Sequence, residues 1–174
     1  IGTAAGTEVL GHTARALAEA DPDLVFVSLD GENAYCSSKR SECLAGLARL
    51  APDMLPCAEL FTSRQSVYYF YDEKGRVHKL TASNGVDQGD PLAPLLFACG
   101  LHPRLLDLEK RLKRLVVNAG GSAEKVKVLA YLDDVLLAVP KEVAAQVLAE
   151  EEAALRELGL KLRADKTQAW SAAA

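Results

Sequence analysis

Two apolar segments on either side of an Asp-Asp pair constrain the fold of this chain more than any other feature. Residues 126–132 and 135–139 are rich in Val and Leu, and Asp133 and Asp134 stand between them. Short β-favouring segments joined by turn-forming residues predict two antiparallel strands. Both carboxylates are then expected at the tip of a hairpin.

A third apolar segment, residues 24–29, also ends on a carboxylate, Asp30. A continuous apolar run of this length is typical of a buried strand. If this strand lies beside the hairpin, three carboxylates meet, and like charges at close range favour a bound cation such as Mg²⁺. The alternative, a solvated turn at Asp133 and Asp134, fits the pattern about equally well.

Helical periodicity and turn residues define the other elements. The helices are predicted at residues 7–20, 38–50, 52–60, 90–112 and 141–158. A hairpin is predicted at 66–80, and an extended tail follows 159. This order predicts one α+β domain with an antiparallel or mixed sheet flanked by helices.

Two features of these elements allow more than one interpretation. The aromatic run 68–71 could stack on bases, but alternation on a half-buried hairpin is the simpler explanation. The long helix is expected to start at Asp90 and to end in a basic cluster at 110–114. This cluster could contact phosphates, but a solvated helix end that suits the helix dipole is the simpler explanation.

Charge and cysteine content exclude several classes of protein. The 174 residues carry 20 Lys and Arg against 24 Asp and Glu, a net charge of -4, so the chain is no basic nucleic-acid module. No apolar run approaches the roughly 18 residues of a membrane span. The four cysteines form no C-x-x-C pair, which predicts free thiols rather than a metal site.

Four segments, in order, resemble the palm of reverse transcriptases, most closely those of non-LTR (LINE-like) retrotransposons. The first is LDGENAY at 29–35, with Arg40 beyond it, and the second is GVDQGDPLAPLLF at 85–97. The third is AYLDD at 130–134, and the fourth comprises Gly-Leu and Lys-Thr within 158–167. One such segment would be weak, but four at compatible spacing are specific.

The resemblance implies an RNA-directed DNA polymerase with the palm fold and two-metal nucleotidyl transfer onto a primer 3′-hydroxyl. It makes Asp30 and Asp133 ligands of two Mg²⁺ ions, with Mn²⁺ as an alternative. Asp134 is then the neighbouring carboxylate, and Gly31 offers a backbone carbonyl. Lys166 becomes a candidate proton donor to pyrophosphate.

The resemblance also implies how substrates are held. Tyr35 becomes a steric gate under the sugar that favours deoxynucleotides, and Gln88 and Gly89 lie beside the nascent base pair. The implied partners are an RNA template, a DNA primer and deoxynucleoside triphosphates, with no membrane. Asp87 departs from the family pattern, because it places a negative charge near the template.

The domain expectation is a single palm over residues 1–174. Residues 1–22 resemble the lead-in from a fingers segment, and no thumb, RNase H or endonuclease is recognised. A start at Ile1 and an Ala tail indicate a piece of a longer protein, which would supply fingers and thumb. Such a protein would be intracellular, and nuclear if it belongs to a retrotransposon.

Two rival functions remain open from the sequence. One is a non-catalytic or truncated palm reused for binding or assembly, which the acidic balance and missing fingers suggest. The other is an RNA-directed RNA polymerase, against which Tyr35 argues because a ribonucleotide polymerase would prefer a smaller or hydrogen-bonding residue there.

Overall fold

Two antiparallel sheets form the framework in a computed structural model that describes residues 4–163 and 165–173. The strands are β1 (Leu24–Leu29), β2 (Ser66–Tyr71), β3 (Val77–Ala82), β4 (Lys127–Tyr131), β5 (Asp134–Pro140) and β6 (Gln168–Ser171). A four-stranded sheet has the order β4-β5-β1-β6, and β2 and β3 pair as a separate hairpin. The predicted lead-in 1–22 begins with three residues that lie outside the described part of the chain.

The helices lie mainly around the larger sheet. They are α1 (Gly6–Ala20), α2 (Ala34–Ser37), α3 (Arg40–Leu50), α4 (Leu55–Thr62), α5 (Ala93–Asn118) and α6 (Ala144–Leu158). The predicted α+β class, with an antiparallel sheet packed against helices, is confirmed. In the described part of the chain, no helix is long and apolar enough to cross a membrane.

The larger sheet is covered on both faces, which explains its continuously apolar strands. Leu24 and Phe26 of β1, with alternate residues of β5, pack under α1. Val27 and Leu29 point to the opposite face, into the core that α3, α5 and α6 complete. Because successive side chains alternate between the two faces, β1 contributes apolar side chains to both layers.

The prediction for α5 was wrong at both ends. The helix begins at Ala93, and the Asp90 carboxylate accepts a hydrogen bond from the Leu92 N–H (2.8 Å) in the turn before it. It continues to Asn118, because Leu108, Leu112 and Val116 extend one buried stripe past the basic cluster. Residues 110–114 thus lie inside the helix rather than at its end.

The prediction that the hairpin is half-buried was also wrong. The side chains of residues 67–71 in β2 are all exposed, and most of those in β3 are exposed as well. The β2–β3 hairpin lies outside both faces of the larger sheet. The side chains alternate between its two sides, but neither side is covered by another layer of the described chain.

A carboxyl group lies buried in α6. Glu151 is 0% exposed, and neither of its side-chain oxygens has a hydrogen-bond partner among the described residues. Burial raises the pKa of Glu151 to about 8. The folded chain therefore holds this group protonated at neutral pH.

Glu151 makes stability fall as pH rises. Above its ordinary pKa of 4.5 the unfolded chain loses the proton while the folded chain keeps it until about pH 8. Between these values the free energy of unfolding should drop by up to about 1.4 kcal/mol per pH unit from this group. Glu151→Gln should remove that decline in urea unfolding measured from pH 4 to 9. Glu152→Gln, the same change at an exposed neighbour on α6, should keep it, and an unchanged slope in Glu151→Gln would contradict the assignment.

Candidate active site

The pairing of β1 with β5 brings the three acidic residues to one edge of the sheet. Leu29 lies opposite Val135, so Asp30, which follows β1, lies beside Asp134, which begins β5. Burial raises the pKa of the Asp134 carboxyl, and the negative charges of Asp133 and Asp30 raise it further. The three carboxylates are therefore close enough to repel one another.

A tight turn presents Asp133 at the tip of the β4–β5 hairpin. Tyr131 pairs with Asp134 across this turn, which leaves only two residues between them. Leu132 adopts the left-handed region at φ 56, a conformation that costs a residue other than Gly on the order of 1 kcal/mol or more. Two-residue hairpin turns require positive φ, so this strained backbone is what exposes the Asp133 carboxylate.

The fourth sequence segment reaches Asp30 from the other side. The Arg163 N–H donates to the Asp30 backbone carbonyl (2.9 Å), and Gly31 forms an isolated bridge with Leu162. The Lys166 ammonium nitrogen lies 3.4 Å from Oδ2 of Asp30. Lys166 and Gly31 thus both lie next to Asp30, and the backbone contact of Arg163 was not anticipated from the sequence.

Tyr35 lies beside the same carboxylates. Its ring stacks on Phe97 of α5 with centroids 4.6 Å apart. Burial raises the pKa of the Tyr35 hydroxyl, and the charge of Asp133 raises it further. The contact with Phe97 was not predicted, because nothing in the spacing of Phe97 indicates which aromatic ring it meets.

Arg40, buried at the start of α3, joins three parts of the chain. Its guanidinium donates to the Gly85 carbonyl (2.6 Å), the Arg64 carbonyl (2.8 Å) and the Ser66 hydroxyl (2.8 Å). The side chain is 8% exposed and makes no ion pair within residues 4–163 and 165–173. Because Arg presents several donors in a planar fork, one side chain can satisfy these separate acceptors.

The loop after β3 is attached directly to the segment that carries Tyr35. The Gly85 N–H donates to the Ser38 carbonyl (2.7 Å), and the Val86 N–H donates to the Tyr35 carbonyl (2.9 Å). Gly85 has φ +78, and a Cβ there would overlap the Cys36 carbonyl. A glycine is therefore required for this close approach.

Gln88 and Gly89 lie farther along the same loop and are exposed. In the described part of the chain, neither residue makes a hydrogen bond to the carboxylates or to Tyr35. Asp87, beside them, accepts a hydrogen bond from the Tyr68 hydroxyl (2.6 and 2.7 Å to its two oxygens). The loop is thus fixed to α2 at one end and to the β2–β3 hairpin near its middle.

The sheet edge with the three carboxylates offers the oxygen ligands of a divalent cation site, but not a complete coordination shell. Among the described residues, no group of three or more His, Cys, Asp or Glu is arranged to hold a metal ion. Carboxylate and carbonyl oxygens are nevertheless the ligands of Mg²⁺. Burial chiefly raises the pKa of Asp134, and the charges of Asp133 and Asp30 add a repulsion that a cation would relieve. The residues present therefore fit a divalent ion that completes its shell with water and substrate.

Comparisons with known proteins point to one family. A family model described as "Reverse transcriptase (RNA-dependent DNA polymerase)" matches residues 4–173. The retrotransposable element SLACS 132 kDa protein of Trypanosoma brucei gambiense is 31% identical over 91% of this chain. The Pol polyprotein of the type-1 retrotransposable element R2 of Nasonia vitripennis is 42% identical over 46% of it. The chain spans 13% and 7% of the lengths of these two relatives.

Solved structures share the fold. Apo telomerase from Candida tropicalis superposes with a TM-score of 0.65 over 95% of this chain and 32% of that one, at 12% identity. Telomerase from Candida albicans, solved with a fragment of telomeric RNA, gives 0.64 over 94% of this chain and 30% of that one, at 15% identity. At these identities the likeness shows the fold alone.

The Arg40 hydrogen bonds predict that nearby backbone amides lose protection from hydrogen exchange when the guanidinium is removed. Arg40→Met should speed hydrogen exchange at the Gly85 and Val86 amides by about tenfold or more, because hydrogen bonds to charged groups contribute about 1.5 to 3 kcal/mol each. Arg40→Lys keeps the charge but cannot reach three divergent acceptors, so it should protect only partly. Arg49→Met, at an exposed arginine of α3, is the control and should change nothing at the loop. Equal exchange in Arg40→Met and the unaltered chain would show that Arg40 does not hold the loop.

Proposed function

Because this chain belongs to the reverse transcriptase (RNA-dependent DNA polymerase) family, we propose that it is the palm of an RNA-directed DNA polymerase. The predicted resemblance to non-LTR retrotransposon enzymes is confirmed at the family level. The observation that carries the proposal is the convergence of Asp30, Asp133 and Asp134 at one sheet edge. The proposed reaction is template-dependent transfer of a nucleotide onto a primer 3′-hydroxyl.

The carboxylates of Asp30 and Asp133 and the Gly31 carbonyl would hold two divalent ions, with Asp134 as the neighbouring carboxylate. Mg²⁺ is the proposed ion and Mn²⁺ the alternative, since both take oxygen ligands. When bound, the ions supply activation of the hydroxyl nucleophile and neutralisation of charge on the leaving group. The three side chains bring the negative charge that makes this binding favourable.

Lys166 is proposed to provide a proton at its side-chain nitrogen to the leaving pyrophosphate. Its position 3.4 Å from the Asp30 carboxylate supports this role, since it places the ammonium at the edge where the triphosphate would bind. The backbone contact of Arg163 with Asp30 holds this segment in place.

Tyr35 is proposed to lie under the sugar and to exclude a 2′-hydroxyl. Stacking on Phe97 supports a fixed ring position, which a steric gate requires. Gln88 and Gly89 are proposed to lie beside the nascent base pair, and the attachment of their loop to the Tyr35 segment would keep base and sugar contacts in register.

The proposed partners are an RNA template, a DNA primer and deoxynucleoside triphosphates. Residues 1–174 are proposed to be one palm domain that acts with fingers and thumb segments of a longer protein. A nuclear location is proposed if that protein belongs to a retrotransposon, as its relatives do.

The metal assignment predicts that Asp133→Asn abolishes Mg²⁺-dependent primer extension by the full natural protein. We expect a loss of about 1000-fold or more, because metal-held charge stabilisation is worth several kcal/mol in the transition state. Asp53→Asn, at an exposed aspartate away from the edge, is the matched control and should retain activity. Primer extension at the normal rate in Asp133→Asn would exclude the proposed role of Asp133 in metal binding. An unaltered protein without activity would favour the non-catalytic alternative.

The gate assignment predicts a change in sugar selection. Tyr35→Ala should raise incorporation of ribonucleotides relative to deoxynucleotides by more than about tenfold, since it removes the ring that would clash with the 2′-hydroxyl. Tyr35→Phe keeps the ring and should keep the discrimination. Single-nucleotide incorporation, measured as kcat/KM for each sugar, tests this. Unchanged selectivity in Tyr35→Ala would exclude the gate and reopen the ribonucleotide polymerase alternative.

A further inference from the structure

One face of the β2–β3 hairpin is an exposed aromatic and basic surface. The pairing register places Val67 opposite Thr81, Tyr69 opposite Lys79 and Tyr71 opposite Val77. Because side chains alternate between the two sides of a strand, these six residues share one side. We call it the outer hairpin face. Tyr69 is 64% exposed and Tyr71 is 71% exposed.

The opposite face of the hairpin holds it against the candidate active site. The Tyr68 hydroxyl donates to Asp87 in the loop of Gln88, and the Ser66 hydroxyl accepts from Arg40. Phe70 stacks on His78 with centroids 4.9 Å apart. The outer hairpin face is therefore carried on a positioned support, next to the loop proposed to contact the nascent base pair.

The charge of this segment is opposite to that of the whole chain. Residues 64–79 contain four Lys and Arg against two Asp and Glu, whereas the chain as a whole carries -4. One of the two acidic residues, Asp72, is already paired with Arg76 and His78. Lys79, opposite Tyr69, makes no ion pair within the described part of the chain, so its charge is available to a ligand.

We propose that the outer hairpin face binds single-stranded nucleic acid, with bases stacked on Tyr69 and Tyr71 and a phosphate on Lys79. This proposal rests on the proposed polymerase function, for which it names the surface that holds the unpaired template strand. Exposed aromatic rings beside a cation match the two requirements of sequence-tolerant binding, stacking and backbone charge. Tyrosine is also common in protein interfaces, but lysine is depleted in their centres, so the cation beside the two rings favours nucleic acid.

The test separates stacking from charge with two oligomers. Fluorescence anisotropy would measure binding of the 174-residue chain to a dT12 oligonucleotide and to an abasic 12-mer with the same phosphates. We expect the unaltered chain to prefer dT12. The double variant Tyr69→Ala, Tyr71→Ala should lose about tenfold or more of that affinity, because stacking contributes about 1 to 3 kcal/mol per base. It should then bind both oligomers equally.

Further variants check each part of the surface. Replacing both tyrosines by Phe keeps the rings and should keep the preference for dT12. Lys79→Ala should weaken binding to both oligomers and reduce its salt dependence. Phe61→Ala removes an equally exposed aromatic ring from α4 and should have no effect.

Three results would overturn the proposal: no dT12 binding by the unaltered chain, no preference over the abasic oligomer, or full affinity in the double variant. If the double variant instead kept its dT12 affinity and lost a self-association that the unaltered chain shows, the outer hairpin face would be a protein-binding surface. Primer extension by the unaltered full natural protein, measured in parallel, tests the polymerase proposal separately from dT12 binding. A failed polymerase proposal would thus appear as absent primer extension with tyrosine-dependent binding intact.

Discussion

The antiparallel pairing of β1 with β5 is the constraint on which the site depends. Its register puts Leu29 opposite Val135 and so places the two strand ends that carry Asp30 and Asp134 together. A slip of one residue would turn the apolar set of one strand to the other face. Here the two faces pack on different layers, α1 on one side and α5 with α6 on the other. Packing of the core therefore holds these charged groups close together despite their mutual repulsion.

A second constraint connects the sheet edge to segments outside the core. The Tyr35 segment, the loop at Gly85 and the start of β2 share no sheet, yet hydrogen bonds join each to its neighbour. Arg40 meets acceptors far apart in the sequence. Burying a guanidinium is costly unless its donors are satisfied, and the three acceptors provide that satisfaction. These hydrogen bonds connect the segment of the proposed sugar contact to the loop of the proposed base contacts.

The parts of the fold that could be predicted were those with a repeating apolar pattern. β1 was predicted at its observed bounds, and the β4–β5 hairpin within two residues, because their apolar runs are continuous and end at carboxylates. The single turn of α2 was missed, since four residues carry no periodicity and Asn33 precedes it in the left-handed region. The hydrogen-bond partners of Arg40 are mostly backbone carbonyls. Since any residue can offer a carbonyl, no pattern of side chains predicts these contacts. The exposure of β2 was missed for a related reason: alternation shows which side chains share a face, not whether another layer covers it.

The charge distribution is compatible with the proposed polyanionic substrate, although the chain as a whole is acidic. The net charge of -4 excludes binding by general attraction, and the carboxylates at the sheet edge would repel a phosphate backbone on their own. A cation at that edge relieves this repulsion, and the Lys166 ammonium already lies close to Asp30. The hairpin, by contrast, carries a local excess of Lys and Arg, and salt screens exposed charges beyond about 10 Å. Because each phosphate responds to its nearest groups, placing the two signs on different segments would let the sheet edge bind the proposed metal ions while the hairpin binds the proposed strand.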